Sequence, residues 1–233
     1  MCTLTYLLTD EGYELFFNRD EQLSRPIAKP PQYFKQTEAI YPIDPLGKGT
    51  WVAVNNSGMC LALLNYYQAM RSDSKQNFIS RGEIILSLIQ KKFVSDKELK
   101  QLELKGFQPF QICIFNSNIS RTQGKVRSFI WDSTELYEIE THLPITSSSQ
   151  NYEHVKQKRQ TKFNQLVNRN NPTLSQLREF HFSKESLQKY SVNMIREDAR
   201  TVSISHIKVD QNISFKYFDN LNSKTKITEI DKT

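Results

Sequence analysis

The sequence predicts a layered α+β domain in which β-sheets lie between helices. Strand-like segments come first along the chain, then helical segments, then strands again. Some of the strand segments are apolar without interruption, which is typical of a sheet covered on both faces. No internal repeat or low-complexity linker divides the 233 residues, so we predict one domain spanning residues 1–233.

The first third of the chain contains two predicted hairpins and a long connection between them. Segments 2–8 and 13–18 are strand-like, and TDEG supplies a turn signal between them. The Pro-rich stretch 24–49 predicts an irregular loop that lines something rather than a core element. GTWVAVN at 49–55 and MCLALLNYY at 59–67, joined by NSG, predict the second hairpin.

The rest of the chain predicts helices in two places and strands around them. Ser80 with Glu83, and Ser95 with Glu98, match the capping-box pattern that opens a helix. A charged amphipathic helix and a shorter one follow later, and the tail 222–233 is expected to fray. The remaining predicted elements are strands at 110–116, 125–132, 135–143 and 144–147, helices at 151–169 and 173–182, and strands at 191–195, 201–209 and 213–219.

Composition limits the classes of function. The net charge of +6 arises after residue 80, and no aromatic–basic RNA motif accompanies it, so we expect a solvated helix face and no nucleic-acid partner. The apolar runs are too short for a membrane span. The start of the chain does not resemble a secretion signal. Three cysteines without metal-ligand spacing predict no metal site and suit a reducing, cytoplasmic location.

Cys2, directly after the initiator methionine, allows two interpretations. It is either a small buried hydrophobic residue or a nucleophile released by removal of Met1. Removal would leave a thiol and a free amine on one carbon, and the amine could accept the thiol proton. Retained Met1 would turn that amine into a non-basic amide. Position alone favours the ordinary interpretation, because many proteins start with Met-Cys.

Polar residues follow the apolar part of both hairpins. In an antiparallel hairpin the end of the second strand lies beside the start of the first, so Arg19 and Asp20 of NRDE come within reach of Cys2. Arg19 could stabilise a thiolate and Asp20 an ammonium. Asn65 could donate to an oxyanion. Each feature also has an ordinary structural explanation, such as a salt bridge or a turn, as does Arg200 at the start of a later strand.

Several segments in order resemble the NRDE family, which also contains the transport and Golgi organisation protein 2. That family is similar to N-terminal nucleophile hydrolases of the penicillin V acylase, bile salt hydrolase and acid ceramidase type. The resemblance implies a four-layer αββα sandwich, an N-terminal Cys exposed by processing, and cleavage of non-peptide carbon–nitrogen bonds. The segments are Cys2, NRDE at 18–21, SRP at 24–26, GTWVAVNNSG to LALLNY at 49–66, SRGE at 80–83, ITSSS at 145–149 and REDARTVS at 196–203.

The resemblance also implies roles for individual residues. Cys2 is expected to be the nucleophile and, through its amine, the base, and Asn65 matches the oxyanion-hole Asn. The hydrolases read Arg-Asn-x-Asp where this chain has Asn18-Arg19-Asp20, so the Arg-to-Asp interval is shorter here. Where they carry a second Asn, this chain offers Ser147 or Ser148. Arg200 matches their later Arg.

Ligand binding completes the prediction. Arg25, Trp51, Tyr66 and Arg81 are expected to contact a ligand, although core packing explains Trp51 and Tyr66 equally well. We predict a hydrolase that cleaves a non-peptide amide through an acyl-enzyme. The alternative is a non-catalytic protein that carries haem, lipid or acyl-coenzyme A on the same scaffold. No cofactor is expected, with haem considered only as a ligand, and the oligomeric state stays open.

Overall fold

Two antiparallel sheets stack face to face in a computed structural model that describes residues 2–69 and 78–233. The strands are β1 (Cys2–Leu8), β2 (Tyr13–Gln22), β3 (Lys29–Phe34), β4 (Ala39–Ile43), β5 (Val52–Asn55), β6 (Cys60–Asn65), β7 (Phe110–Phe115), β8 (Arg127–Trp131), β9 (Leu136–Ile139), β10 (Ile145–Ser147), β11 (Ala199–Val209), β12 (Asn212–Asp219) and β13 (Lys224–Asp231). The helices are α1 (Gly82–Leu88), α2 (Asp96–Lys100), α3 (Tyr152–Leu166) and α4 (Leu174–Phe182).

The two sheets differ in the number and order of their strands. The first sheet has the order β10-β1-β2-β11-β12-β13, and the second has the order β3-β4-β5-β6-β7-β8-β9. Side chains alternate across β2, so Leu15 and Phe17 pack between the sheets while Phe16 packs against α3 and α4. Helices α1 and α2 cover the outer face of the second sheet. These four layers confirm the predicted αββα sandwich.

The prediction of an irregular loop at 24–49 is wrong, because this stretch contains β3 and β4. Proline cannot donate to a strand ladder and is confined to edges and bulges. Pro30 and Pro31 lie on β3, the edge strand, at a register shift between Lys29 and Gln32. The stretch therefore forms strands in which the prolines lie at an edge, where the missing N–H donors interrupt few ladder hydrogen bonds.

The capping box predicted at Ser80 is also wrong. Helix α1 begins at Gly82, and Arg81 before it makes no side-chain cap. A Cβ on Gly82 would lie 2.5 Å from the backbone nitrogen of Thr50, so a close backbone approach sets this helix start. The capping box at Ser95 is confirmed: Ser95 N donates to Glu98 Oε2 at 2.7 Å, and Glu98 N donates to Ser95 Oγ.

Two predictions near the end of the chain are wrong. Segment 191–195, predicted as a strand, is mostly buried but bonds to several separate segments, for example through Asn193 N to Ser183 O at 3.1 Å. The tail, predicted to fray, instead forms β13 on the edge of the first sheet. Its alternating polar residues pair with β12 through the backbone, and its lysines are typical of a protected edge.

Candidate active site

Cys2 lies in a row of residues that crosses the first sheet. Ser147 on β10, Cys2 on β1, Arg19 on β2 and Ser203 on β11 are successive Cα partners. Residues directly opposite one another in antiparallel strands project to the same face, with Cβ atoms about 4.5–5.5 Å apart. The row therefore faces the second sheet, so Arg19 and Cys2 are neighbours, as the hairpin pattern predicts.

Strand β2 does not end where the sequence suggested. It continues to Gln22, and Asn18, Arg19 and Asp20 are all buried. The strand runs on because its polar side chains find partners: Asn18 Nδ2 donates to the backbone oxygens of His181 at 2.9 Å and Val192 at 3.0 Å. Alternation along β2 then turns Arg19 towards the second sheet and Asp20 towards the helices.

A cavity of about 780 Å³ opens beside Cys2. It receives residues from β2, from the turn after β4, from the end of β6 and from the start of α1. This volume lies within the range of roughly 300–1,000 Å³ that is typical of small-molecule sites. The predicted site residues that line it are Cys2, Arg19, Asp20, Arg25, Trp51, Asn65 and Arg81.

Two arginines of the cavity wall, Arg19 and Arg25, are paired with carboxylates. Arg19 Nη2 lies 3.0 Å from Glu21 Oε2 and 3.4 Å from Asp44 Oδ2, and its Cζ lies 4.2 Å from the centroid of the Trp51 ring. Arg25 also pairs with Asp44. Burial alone would raise the pKa of Asp44, but Arg25, Arg19 and two backbone N–H groups together lower it. Asp44 thus remains ionised and helps to orient both guanidinium groups.

The Cys2 thiol is half-buried, and its surroundings act on it in opposite directions. Burial raises its pKa. In a chain that still carries Met1, its ammonium, a backbone hydrogen bond with Asp20 and the charge of Arg19 oppose that rise, while the Asp20 carboxylate adds to it. Arg81, whose own pKa burial lowers, is close enough to interact with the Cys2 charge. Burial outweighs these groups and the pKa of Cys2 stays raised, so a nucleophilic role for this thiol requires a base to take its proton.

The other two cysteines have no such setting. Cys60 and Cys113 are fully buried in apolar strands of the second sheet. Burial raises the pKa of Cys60 well above its usual range and that of Cys113 to about 12. Both are core residues.

Arg159 on α3 is a site residue that the sequence analysis missed. Its side chain is fully buried, and Nη2 lies 3.0 Å from Asp20 Oδ2 and 3.0 Å from the backbone oxygen of Ser191. Its Nη1 contacts the backbone oxygen of Cys2 at 3.4 Å and the hydroxyl of Thr3. One guanidinium thus holds the start of β1 and the Asp20 carboxylate together.

A pattern along α3 marks Arg159 in retrospect. Val155, Arg159 and Phe163 are spaced four residues apart and all three are buried, so the Arg lies in the apolar stripe of the helix. A charged residue in that position needs a buried partner. The partner is Asp20, which lies almost 140 residues earlier in the chain and is not identifiable from local pattern.

The oxyanion-hole candidates lie on different sheets. Asn65 ends β6 and lines the cavity, and its Nδ2 donates to Tyr67 Oη at 2.7 Å. Ser147 is buried opposite Cys2, and its Oγ has no hydrogen-bond partner among residues 2–69 and 78–233. Ser148 instead donates to the backbone oxygen of Gln150.

Three predicted ligand or site residues are absent from the described lining of the main cavity, and Ser147 is one of them. Tyr66 is not among the described residues that line the main cavity, and its neighbour Tyr67 takes that place. Arg200 lines a second, smaller cavity rather than the one beside Cys2, as far as the described lining shows. Arg200 pairs with Glu21 of β2, whereas the neighbour of Cys2 on β2 is Arg19. Arg200 therefore lies farther from the thiol than Arg19 does.

Two further findings concern metals and membranes. Within 2–69 and 78–233, no cluster of three or more His, Cys, Asp or Glu side chains has a geometry that could hold a metal ion. In the same part of the chain, no helix is sufficiently long and apolar to cross a membrane.

Comparison with known proteins gives one family and one fold. The model of the family "Transport and Golgi organisation 2" matches residues 1–226. A crystal structure of the C2A mutant of the conjugated bile acid hydrolase from Clostridium perfringens is similar in fold, with a TM-score of 0.54 and 14% identity over 99% of this chain and 92% of that one. No curated protein matches the sequence significantly.

Proposed function

This chain belongs to the Transport and Golgi organisation 2 family, and we propose that it is an N-terminal nucleophile hydrolase that cleaves a non-peptide amide bond. The observation that carries the proposal is the position of Cys2. Its thiol faces a cavity between the sheets beside Arg19, and its backbone is tied through Arg159 to Asp20. The family's resemblance to such hydrolases and the fold neighbour support the same scaffold.

The first step is removal of Met1, which lies outside the described residues. Hydrolysis of the Met1–Cys2 bond frees an amine on the Cα of Cys2. That amine takes the thiol proton, and Sγ attacks the substrate carbonyl carbon to give a tetrahedral intermediate. The proton passes to the substrate nitrogen, the carbon–nitrogen bond breaks, and an amine leaves behind a thioester on Cys2. Water then hydrolyses the thioester, which releases a carboxylic acid and restores the thiol.

Charged residues near Cys2 have separate roles in this reaction. Arg19 and Arg81 favour the thiolate, because both guanidinium groups interact with the charge of Cys2. The Asp20 carboxylate, fixed by Arg159, is suited to orient the new ammonium at the start of β1. Each charged group thereby has a task that its position allows.

The developing oxyanion needs hydrogen-bond donors close to the Cys2 thiol. Asn65 lines the cavity and has a second amide N–H besides the one given to Tyr67. The Ser147 hydroxyl is the second donor, since it lies opposite Cys2 with its Oγ unpaired in the described part of the chain. Loss of one such donor costs roughly 2.7–4 kcal/mol in transition-state stabilisation in comparable enzymes.

A non-catalytic carrier of haem, lipid or acyl-coenzyme A in the cytoplasm is the second candidate, and the size of the cavity favours it. Charge favours it less: the described lining holds Arg19, Arg25, Lys48 and Arg81 against Asp20, Glu21, Asp44 and Glu83. An anionic ligand would therefore have to displace a carboxylate from Arg19 or Arg25, or bind at Arg81 or Lys48, neither of which forms an ion pair within the described residues.

N-terminal variants test the hydrolase directly. Wild-type protein should release the amine from chromogenic amides of fatty acids, and Cys2→Ala should not. The matched control inserts an alanine between Met1 and Cys2, which keeps the thiol and converts its α-amine to an amide. We expect that control to bind the amide substrates and not to turn them over.

The Cys2→Ala variant also distinguishes the carrier from the hydrolase. Turnover by Cys2→Ala at the wild-type rate would show that Cys2 is not the nucleophile. Saturable binding of haem or acyl-coenzyme A, unchanged by Cys2→Ala and without product from any amide, would favour the carrier over the hydrolase.

A further inference from the structure

A second cavity of about 280 Å³ adjoins the one beside Cys2. The two share part of their walls, since Arg19, Glu21, Gln22 and Arg25 line both. A ligand in the first cavity therefore needs only a short extension to reach the second. The proposed acyl-enzyme chemistry uses Arg19 of the shared wall and no residue that lines the second cavity alone.

Arg200 gives the second cavity its charge. Its Nε is buried without a hydrogen-bond partner, and no ion pair joins its side chain to any residue within 2–69 and 78–233. A guanidinium presents five N–H donors in a planar fork, so an unpaired one in a cavity wall is suited to a bidentate anion.

The nearby carboxylates are engaged by other donors. Glu21 takes Arg19 and Arg25, and its second oxygen accepts from Gln22 N at 2.9 Å. Asp219 accepts from the backbone nitrogen of Leu221 at 2.8 Å and from Asn222. The described lining thus carries three arginines against two carboxylates, and Arg200 is the cation without a partner.

The rest of the wall is largely apolar. Leu23 is 45% exposed and Ile27 is 59% exposed, so the mouth of the cavity presents aliphatic side chains to solvent. Exposed aliphatic side chains that rim a concave polar site mark a binding surface more often than isolated ones do. The apolar residues of the wall are Leu23, Pro26, Ile27, Ala28, Val202 and Leu221.

We propose that the second cavity binds a carboxylate on an aliphatic part of the ligand, with Arg200 as the anchoring residue. The carboxylate pairs with the Arg200 guanidinium, and the aliphatic chain contacts the apolar wall. This deepens the proposed function and rests on it only for the position of the scissile amide beside Cys2. The substrate class would be amides that carry a carboxylate on an aliphatic portion.

Binding of octanoate to the full chain tests the subsite, with octanol as the uncharged match. The measurement uses the Cys2→Ala variant, so that it does not depend on turnover. Arg200→Gln should weaken octanoate binding about ten-fold or more, because a hydrogen-bonded charge pair is lost, and should leave octanol binding unchanged. The octanoate affinity of Arg200→Lys should fall between that of the protein with Arg200 and that of Arg200→Gln. Lysine keeps the charge and lacks the planar fork of N–H donors.

The matched control is Arg121→Gln, which removes the same charge from an exposed pair with Asp10. It should leave octanoate binding unchanged. Equal loss of octanoate binding in Arg121→Gln and Arg200→Gln, or no loss in Arg200→Gln, would overturn the proposal. Octanoate binding that depends on Arg200 in a protein that cleaves no amide would uphold the subsite and refute the hydrolase, so the two failures are distinguishable.

Discussion

Removing the Arg159 side chain should destabilise the protein strongly. Arg159→Met keeps much of the aliphatic volume and removes the guanidinium. The substitution removes the Arg159 guanidinium from the Asp20 carboxylate, which is fully shielded from solvent. It also withdraws donors from the backbone oxygen of Ser191 at 3.0 Å and that of Cys2 at 3.4 Å.

The magnitude follows from burial. Breaking a buried ion pair by removing one partner costs about 3–5 kcal/mol, because the remaining charge is uncompensated. Exposed pairs contribute about 0–1 kcal/mol. We therefore expect Arg159→Met to lower the free energy of unfolding by about 3–5 kcal/mol. Arg127→Met, which breaks pairs with the exposed side chains of Asp96 and Glu138, should cost much less.

Urea denaturation in a double-mutant cycle measures the coupling. Asp20→Asn alone and Arg159→Met alone should each destabilise, and the double variant should be more stable than the sum of the two losses predicts. Additive losses, or a loss in Arg159→Met no larger than in Arg127→Met, would refute the inference that this guanidinium holds the start of β1 to Asp20.

Three further predictions concern acid stability, helix capping and thiol reactivity. Burial, with Arg159 and His206, lowers the pKa of His181 well below 6.5, so the unfolded chain binds a proton that the folded chain does not. The contribution of His181 to the free energy of unfolding is complete above pH 6.5. It declines by about 1.4 kcal/mol for each pH unit below that value, down to the folded pKa. His181→Gln should flatten this decline, measured by urea denaturation from about one pH unit above the usual His value to about one and a half units below it. Ser95→Ala should lower the free energy of unfolding by about 1 kcal/mol through its lost cap. Because burial raises its pKa, Cys2 in a chain that retains Met1 should alkylate faster with each pH unit, with no plateau below its usual value of 9.0.

Each of these predictions has a control from the same chain. His142, an exposed residue, should leave the pH dependence unchanged when replaced by Gln. Ser80→Ala should cost less than Ser95→Ala, since Ser80 forms no helix cap, and an equal loss would contradict the capping account. A plateau in the alkylation rate near neutral pH would show that Cys2 is more acidic than its burial allows.

The part of the site that is local in sequence was predictable. The hairpin of β1 and β2 brings Cys2 and Arg19 together through strand pairing alone, and TDEG marks its turn. Alternation along β2 separates Arg19 from Asp20, but the sequence placed the strand end at Asn18 and so hid this separation. The polar residues that continue β2 resemble a turn in the sequence, because the hydrogen-bond partners of Asn18 lie on distant segments.

Contacts distant in sequence explain the rest. The pairing of Arg159 with Asp20, and that of Arg25 with Asp44, depends on how separate elements stack, and no local pattern encodes it. Strand β3 was missed because its prolines contradict strand propensity, although an edge position tolerates them. Strand β13 was missed because its polar sequence has little burial to signal a strand.

Intact-mass spectrometry after brief exposure to an activated acyl ester tests the central claim most directly. We expect a chain that lacks Met1 and carries one acyl group, which peptide mapping assigns to Cys2. A mature chain that retains Met1, or an acyl group on any other residue, would contradict the assignment of Cys2 as an N-terminal nucleophile.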